Sequence, residues 1–249
     1  MRYEGQLAET VTFTAHGGDT INAYLARPLG AGPFPGVVVI HHMPGWDEAS
    51  KEITRRFAAH GYAAICPNLH YREAPDAAPD DAAAASRAAG GVPDERLVGD
   101  VEGALRVLYS APWSNGKAGT IGYCSGGRQS FLAACSLPLD AAVCCYPGAI
   151  ANEPPPGSAF HVEPPLRKAE HLSCPVLGLF GAEDTHPGPD EVAKADAELT
   201  RLEKEHEFHT FENAGHAFFA VDNDGYRVRA ATEGWRLVFD FFGRHLAEA

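Results

Sequence analysis

Short, continuously apolar runs alternate with amphipathic segments along most of the chain. Residues 36–40, rich in β-branched side chains, lack the polar alternation of a half-exposed strand, so they predict a strand buried on both faces of a parallel sheet. Similar strands are predicted at residues 62–66, 118–123, 141–146, 175–180 and 207–211. The spacing of apolar positions predicts helices at residues 47–60, 97–108, 125–134, 189–204 and 226–246.

The N-terminal pattern is different. Residues 11–15 and 21–26 alternate apolar and polar positions around a glycine turn, which predicts an antiparallel hairpin. Strand–helix alternation without a linker predicts one α/β domain over residues 1–249, with helices on both faces of a mostly parallel sheet. Residues 73–93 and 147–165 have no clear period and follow strands. Since ligands bind at the carboxyl edge of such sheets, we expect both stretches to wall or cover a pocket, the alternative being plain surface excursions.

Charge and composition narrow the class of partner. The chain of 249 residues carries 20 Lys and Arg against 33 Asp and Glu, a net charge of −13. This acidic balance argues against nucleic acid and anionic membranes as partners, because both are bound by basic surfaces. No apolar run approaches the ~20 residues that span a bilayer, and no signal-peptide pattern opens the sequence. We therefore expect a soluble, cytoplasmic protein.

A candidate nucleophile lies in the segment Gly122-Tyr123-Cys124-Ser125-Gly126, where a buried strand runs into a helix. This is the nucleophile-elbow pattern with sulfur in place of the usual hydroxyl. Small residues at positions 122 and 126 let the strand and the helix approach, so the Cys124 side chain projects above the sheet. The Ser125 amide is expected to donate to an oxyanion, and the helix N-terminus favours thiolate. A glycine-rich turn with an incidental cysteine is the alternative.

An acid and a histidine follow in the order that an α/β hydrolase requires. Asp184 comes just after the strand at residues 175–180, and His216 lies in a loop beyond the next strand. We expect His216 to hold or take the Cys124 proton, while Asp184 fixes the imidazole tautomer and stabilises the imidazolium. Glu183 is the competing acid.

The remaining cysteines and the histidine pair have simpler interpretations. Adjacent histidines in extended chain point in opposite directions, so we expect one of His41 and His42 to face the core and the other the site. No third ligand at recognisable spacing accompanies them, so no metal site is predicted. The other cysteines lie in or beside apolar segments and are expected in the core: Cys66, Cys135, Cys144, Cys145 and Cys174.

Three segments resemble a known family. They are Trp113-Ser114-Asn115-Gly116-Lys117 leading into the elbow, Gly61-Tyr62-Ala63-Ala64-Ile65-Cys66-Pro67, and Ala214-Gly215-His216. Together they are similar to the dienelactone hydrolase (carboxymethylenebutenolidase) family, a cysteine-nucleophile branch of the α/β-hydrolase superfamily, over most of the chain. The resemblance implies a catalytic triad of Cys124, Asp184 and His216, with Met43 as the second oxyanion amide. It also implies hydrolysis of lactones and activated esters through an acyl-enzyme, without metal or organic cofactor.

Two departures from the family concern the substrate. His42 stands where the family carries a glutamate near the thiol, and residues 217–220 lack an arginine that the family uses to grip a carboxylate. Arg87 matches the other family arginine only loosely, and with His42 it is a candidate substrate contact. These differences argue against dienelactone itself. We expect a hydrolase of small esters or lactones; the alternatives are acyl transfer, carbon–halide hydrolysis, or a non-catalytic binding module.

Overall fold

A single eight-stranded sheet forms the centre of the protein. The computed structural model describes residues 5–153 and 162–247. The strands are β1 (Gln6–Thr14), β2 (Thr20–Pro28), β3 (Phe34–Ile40), β4 (Ala63–Pro67), β5 (Ser114–Tyr123), β6 (Ala141–Cys145), β7 (Val176–Gly181) and β8 (His206–Phe211). Their order across the sheet is β1-β2-β4-β3-β5-β6-β7-β8. The β1–β2 hairpin and the β2–β4 pair are antiparallel, and every other neighbouring pair is parallel.

The described residues form six α-helices between and after these strands. They are α1 (Glu48–Ala59), α2 (Pro79–Ala88), α3 (Asp94–Ser110), α4 (Ser125–Ala134), α5 (Pro189–Arg201) and α6 (Val228–Phe242). Two 3-10 helices, at His16–Gly18 and Pro165–His171, and a π-helical turn at Gly243–Ala247 complete the described elements. No helix among the described residues combines the length and the apolar character needed to cross a membrane.

Both faces of the sheet are covered, as continuous apolar strands require. Successive residues of β3 alternate between the two sides, because side chains along a strand point in opposite directions. Val38 packs with α3 and α4 through residues such as Leu105 and Phe131, in the cluster that also contains residues of α5. Val39 packs on the other side, in a cluster with Phe57 of α1 and Phe242 of α6. The predicted fold class, an α/β-hydrolase sheet with an N-terminal hairpin, is confirmed.

The stretch at residues 73–93 contains a helix that the hydrophobic pattern did not predict. Helix α2 begins at Pro79, the position where proline is best tolerated, and continues through an alanine-rich segment. Its buried residues are Ala82, Ala83 and Ser86, whose small side chains leave almost no hydrophobic periodicity to detect. The expectation of an irregular stretch is therefore corrected here. Of the second stretch, residues 154–161 lie outside the described residues.

The crossing of β5 and α4 is too tight for side chains. A Cβ atom added to Gly122 would lie 1.9 Å from the carbonyl oxygen of Gly126, and one added to Gly126 would lie 2.2 Å from the carbonyl oxygen of Ile40. Backbone therefore packs directly on backbone where β3, β5 and α4 meet. The sequence analysis expected small residues at positions 122 and 126 so that the strand and the helix could approach. The structure shows this close approach at both glycines.

Replacing Gly122 with alanine tests this close approach. The added methyl group would force strand and helix apart, so we expect Gly122→Ala to lower the free energy of unfolding by at least about 2 kcal/mol. Urea denaturation measures the change. Gly243→Ala is the matched control, since its φ is −56° and no atom lies within 4 Å of the added Cβ. Equal stability of Gly122→Ala and the unsubstituted protein would contradict the interpretation.

Candidate active site

Cys124 occupies the turn between β5 and α4. Its φ and ψ are 56° and −118°, a strained conformation for a residue with a side chain. The Cys124 amide donates to the carbonyl oxygen of Cys145, and its carbonyl oxygen accepts from the Gly127 amide. These two hydrogen bonds fix the backbone conformation of the turn at the carboxyl edge of the sheet. The thiol is thereby presented at the N-terminus of α4, where the helix dipole favours a negative charge.

Asp184 and His216 come together from the ends of neighbouring strands. Asp184 follows β7 and His216 follows β8, and the two strands pair in parallel. The Asp184 Oδ2 atom lies 2.8 Å from the His216 Nδ1 atom, and its Oδ1 atom accepts from the amide of His186 at 2.8 Å. The Asp184 side chain is buried, whereas Glu183 is exposed and hydrogen-bonds through its backbone amide. Of the two candidate acids, Asp184 is therefore the one at the imidazole.

His216 also lies close enough to Cys124 for the two side chains to interact electrostatically, so the three predicted residues form one group. Burial lowers the pKa of His216, but its hydrogen bonds and charge interactions with Asp184 and Cys124 outweigh burial and raise the pKa to about 10. An imidazole between two acidic groups is thus held in its protonated form at neutral pH. An imidazolium beside a cysteine sulfur is the arrangement that cysteine-dependent enzymes use to activate the nucleophile.

The two predicted oxyanion residues, Ser125 and Met43, line the same cavity as Cys124. Ser125 is the first residue of α4, and Met43 lies in the turn after β3. Within the described part of the chain, neither backbone amide donates to a protein acceptor. Both N–H groups are consequently available beside the sulfur atom, as acyl transfer requires of an oxyanion site.

The cavity beside Cys124 has a volume of about 330 Å³. Its wall is mostly apolar and includes parts of both irregular stretches, through Gly91 and Val92 on one side and Gly148 and Ala149 on the other. Arg87 does not contribute to this wall. It lies exposed near the C-terminus of α2, and its charge acts on His70 in the wall, so its role as a substrate contact stays a prediction.

His41 and His42 both line this cavity, and they differ in burial and in hydrogen-bond partners. His41 is buried, donates from Nδ1 to the His42 carbonyl oxygen at 2.8 Å, and accepts at Nε2 from the Leu69 amide at 3.2 Å. Burial and the neighbouring His70 lower the pKa of His41 to about 3, so this ring is a neutral structural group. His42 also lies at the cavity wall, where it is only partly buried.

Asp47 holds the His42 side chain. The His42 Nε2 atom lies 2.7 Å from Asp47 Oδ2, while Asp47 Oδ1 accepts from the amide and the hydroxyl of Ser50 and so caps α1. Burial raises the pKa of Asp47, but these hydrogen bonds and the His42 charge outweigh it and hold the pKa well below its usual range. The sequence showed His42 but not its partner. An acidic N-cap five residues later was the available signal.

Arg128 and His70 also line the cavity and were missed from the sequence. His70 follows β4, so its position after a predicted strand could have indicated it from the sequence. Arg128 lies within α4, after the elbow, and had no such signal. Burial lowers the pKa of His70 to about 4, which leaves it neutral at physiological pH. The described residues contain no group of three His, Cys, Asp or Glu arranged to hold a metal ion.

A second cavity, of about 440 Å³, lies on the other side of His42. It is bounded by α1, by α6 and by the loop after His216, with aromatic residues such as Trp235 and Phe219 in its wall. It shares His42 with the first cavity, but Cys124 lines the first cavity and not the second. Neither Asp184 nor His216 lines either cavity. The smaller cavity is therefore the candidate active site.

The five other cysteines are buried, as predicted, while Cys124 is half-buried. Burial raises the pKa of both Cys135 and Cys174 to about 12 and raises the pKa of Cys66, Cys144 and Cys145 further. Thiols that stay protonated are poor nucleophiles. Reactivity is thus expected at Cys124 alone among the six.

Sequence comparison supplies an independent finding. A sequence model described as the dienelactone hydrolase family matches residues 21–246. A Salmonella typhimurium protein provisionally named a carboxymethylenebutenolidase is 32% identical over 251 residues, covering 97% of this chain and 89% of its own length. The carboxymethylenebutenolidase of Pseudomonas putida is 30% identical over 240 residues, covering 94% of this chain and 96% of its own length.

Structural comparison agrees with the sequence. A Klebsiella pneumoniae protein provisionally described as a dienelactone hydrolase superposes with a TM-score of 0.85. It is 29% identical, and the match covers 97% of this chain and all of the other. The similarity therefore extends over the whole sheet and the helices around it.

Asp184→Asn tests the electrostatic role of the buried carboxylate. Removing its charge eliminates one of the two interactions that hold the proton on His216, so we expect the pKa of the imidazole to fall by at least about one pH unit. NMR titration of the His216 ring measures this change. Glu183→Gln, the same charge removal at the neighbouring exposed acid, should leave the titration unaltered. A shift caused by Glu183→Gln instead would reverse the assignment of the acid.

Proposed function

Because the chain belongs to the dienelactone hydrolase family, we propose that it is a cysteine-dependent hydrolase that cleaves esters or lactones through an acyl-enzyme. Membership of the family makes the protein a carboxylic ester hydrolase. The nucleophile and the covalent intermediate are the proposed additions. The observation that carries them is the contact of His216 with both Asp184 and Cys124 at the edge of an apolar cavity.

Acylation begins with the thiolate of Cys124. The sulfur attacks the acyl carbon, and the carbonyl oxygen becomes an oxyanion that accepts from the amides of Ser125 and Met43. As the tetrahedral intermediate collapses, the bond between acyl carbon and ester oxygen breaks. The imidazolium of His216 gives its proton to the departing oxygen, which leaves as an alcohol. In a lactone this oxygen remains attached to the acyl group.

Deacylation depends on a change in His216. The charge of Cys124 and its hydrogen bond help to raise the pKa of this imidazole, and both are lost once the sulfur is part of a thioester. The neutral ring then accepts a proton from water while the water oxygen attacks the thioester carbon. Cleavage of the carbon–sulfur bond releases the acid and regenerates the thiolate beside the protonated His216. Asp184 keeps the same ring orientation through both steps.

Cys124→Ala tests the identity of the nucleophile. We expect kcat/KM for p-nitrophenyl butyrate to fall on the order of 10⁴-fold or more, because no other group can form the acyl-enzyme. Circular dichroism should show an unchanged fold, since alanine occupies the same turn. Cys135→Ala removes a buried thiol and should retain activity. Full turnover by Cys124→Ala would refute the proposal.

Covalent trapping gives a second measure of the same assignment. Iodoacetamide should modify Cys124 faster than any of the five buried cysteines, because only this thiol is both accessible and paired with an imidazolium. Peptide mass spectrometry after short exposure identifies the modified residue. Equal labelling of Cys124 and a buried cysteine would contradict an activated nucleophile.

The pH dependence follows from the raised pKa of His216. The imidazolium is present below its pKa and lost above it, so we expect kcat/KM to decline as pH rises through about 10. A free histidine would instead titrate near pH ~6.5. The profile is measured from pH 7 to 11 with p-nitrophenyl butyrate, corrected for spontaneous hydrolysis. In Asp184→Asn the decline should move to lower pH, whereas Glu183→Gln should keep it in place. An activity that increases through pH 10 would contradict this mechanism.

A further inference from the structure

We propose that the enzyme selects esters and lactones whose acyl portion is uncharged, and that Asp94 enforces this selectivity by neutralising Arg128 in the cavity wall. The inference rests on the proposed hydrolase function. The inference adds a substrate class to that function. It also assigns a role in substrate specificity to an ion pair outside the predicted triad.

Arg128 is positioned to meet an acyl group. It lies one helical turn after Cys124 in α4, its amide donates to the Cys124 carbonyl oxygen, and the residue lines the same cavity. The Arg128 side chain is only 6% exposed. An unpaired guanidinium in this place would be a strong site for a substrate carboxylate, since its planar fork binds both carboxylate oxygens at once.

Both terminal nitrogen atoms of the Arg128 guanidinium already have hydrogen-bond partners. Arg128 Nη1 donates to Asp94 Oδ1 at 2.9 Å, and Nη2 donates to Asp94 Oδ2 at 3.0 Å. The Nη2 atom also donates to the backbone carbonyl oxygen of Glu163 at 2.6 Å. The ion pair joins the start of α3 to the start of α4. Among the described residues, only the Nε–H of this guanidinium has no partner, and a single N–H cannot bind both oxygens of a carboxylate. Two-point binding of a substrate carboxylate would therefore require displacement of Asp94, whose side chain is 26% exposed.

The other basic side chains of the wall do not replace Arg128. His41 and His70 are neutral, because burial lowers the pKa of the first to about 3 and of the second to about 4. His42 is paired with Asp47, and His186 lies exposed at the margin. Among the described residues of this wall, every buried cation is thus either paired or discharged.

The rest of the wall favours an apolar chain. Met43, Leu69, Val92, Ala149 and Val162 contribute to it. A neutral acyl group gains by burying its surface against these side chains. A carboxylate in the same place would lose its water without finding a free positive partner, which carries a large free-energy penalty. The cavity therefore discriminates by charge rather than by size.

Three p-nitrophenyl esters with acyl chains of related length test the substrate class. They are the hexanoate, the monoester of adipic acid, and the mixed methyl p-nitrophenyl ester of adipic acid. At pH 8 the adipate is ionised and an ordinary histidine is neutral. We expect kcat/KM for the hexanoate and the methyl adipate to exceed that for the adipate by at least about tenfold. The methyl adipate controls for size, since it is longer than the charged substrate but neutral.

Asp94→Asn tests the assigned residue. Loss of the carboxylate charge frees the Arg128 guanidinium, so the ratio of kcat/KM for adipate over hexanoate should rise about tenfold or more. Asp94→Glu keeps the charge and should retain the neutral preference. Glu207→Gln is the matched control, because Glu207 holds Arg244 with the same two-bond geometry, at 2.8 and 3.0 Å, outside the cavity. Thermal unfolding verifies that each variant is folded.

The outcomes separate the inference from the function on which it rests. Hydrolysis of none of the three esters would refute the proposed hydrolase function. Equal hydrolysis of adipate and hexanoate by the unsubstituted enzyme would overturn the neutral substrate class while leaving the hydrolase intact. A folded Asp94→Asn protein with an unchanged ratio would overturn the role of Asp94. If Asp94→Asn does not fold, the comparison of the three esters in the unsubstituted enzyme still decides the substrate class.

Discussion

Direct packing of backbone on backbone at the crossing of β5 and α4 is the constraint on which the site depends. With no side chain at Gly122 or Gly126, strand and helix meet closely enough to force Cys124 into a strained turn. That turn directs the thiol to the carboxyl edge of the sheet and to the N-terminus of a helix. The parallel register of β7 and β8 then delivers Asp184 and His216 to the same edge. A change in this crossing would displace the sulfur from every group with which it acts.

Around the sulfur, charges are arranged in pairs within an apolar wall. His216 lies between Cys124 and Asp184, His42 is held by Asp47, and Arg128 is held by Asp94. Only the first of these pairs changes its charge in the proposed reaction. The other two are held by fixed acids, and pairing of this kind allows buried charges to exist at all. The charges around the cavity therefore stay constant during the proposed reaction, except at the reacting atoms.

The comparisons and the geometry address different properties of the enzyme. Similarity over residues 21–246 establishes the family and the type of reaction. The side chains of the cavity wall instead determine which acyl groups fit, and these lie largely on loops and helix termini. Two residues of this wall, Arg128 and His42, are paired with Asp94 and Asp47. The proposed selectivity thus arises from local pairing on a shared catalytic framework.

Local patterns in the sequence determined the strands, the long helices, the elbow and the order of the proposed nucleophile, acid and base, because hydrophobic periodicity and turn chemistry depend on neighbouring residues. The hydrophobic pattern did not predict helix α2, because its buried face consists of alanine and serine. Only the tertiary structure distinguished Asp184 from Glu183 and paired Arg128 with Asp94 across 34 positions of the chain. Such choices depend on distances between atoms that are remote in sequence, and folding alone establishes those distances.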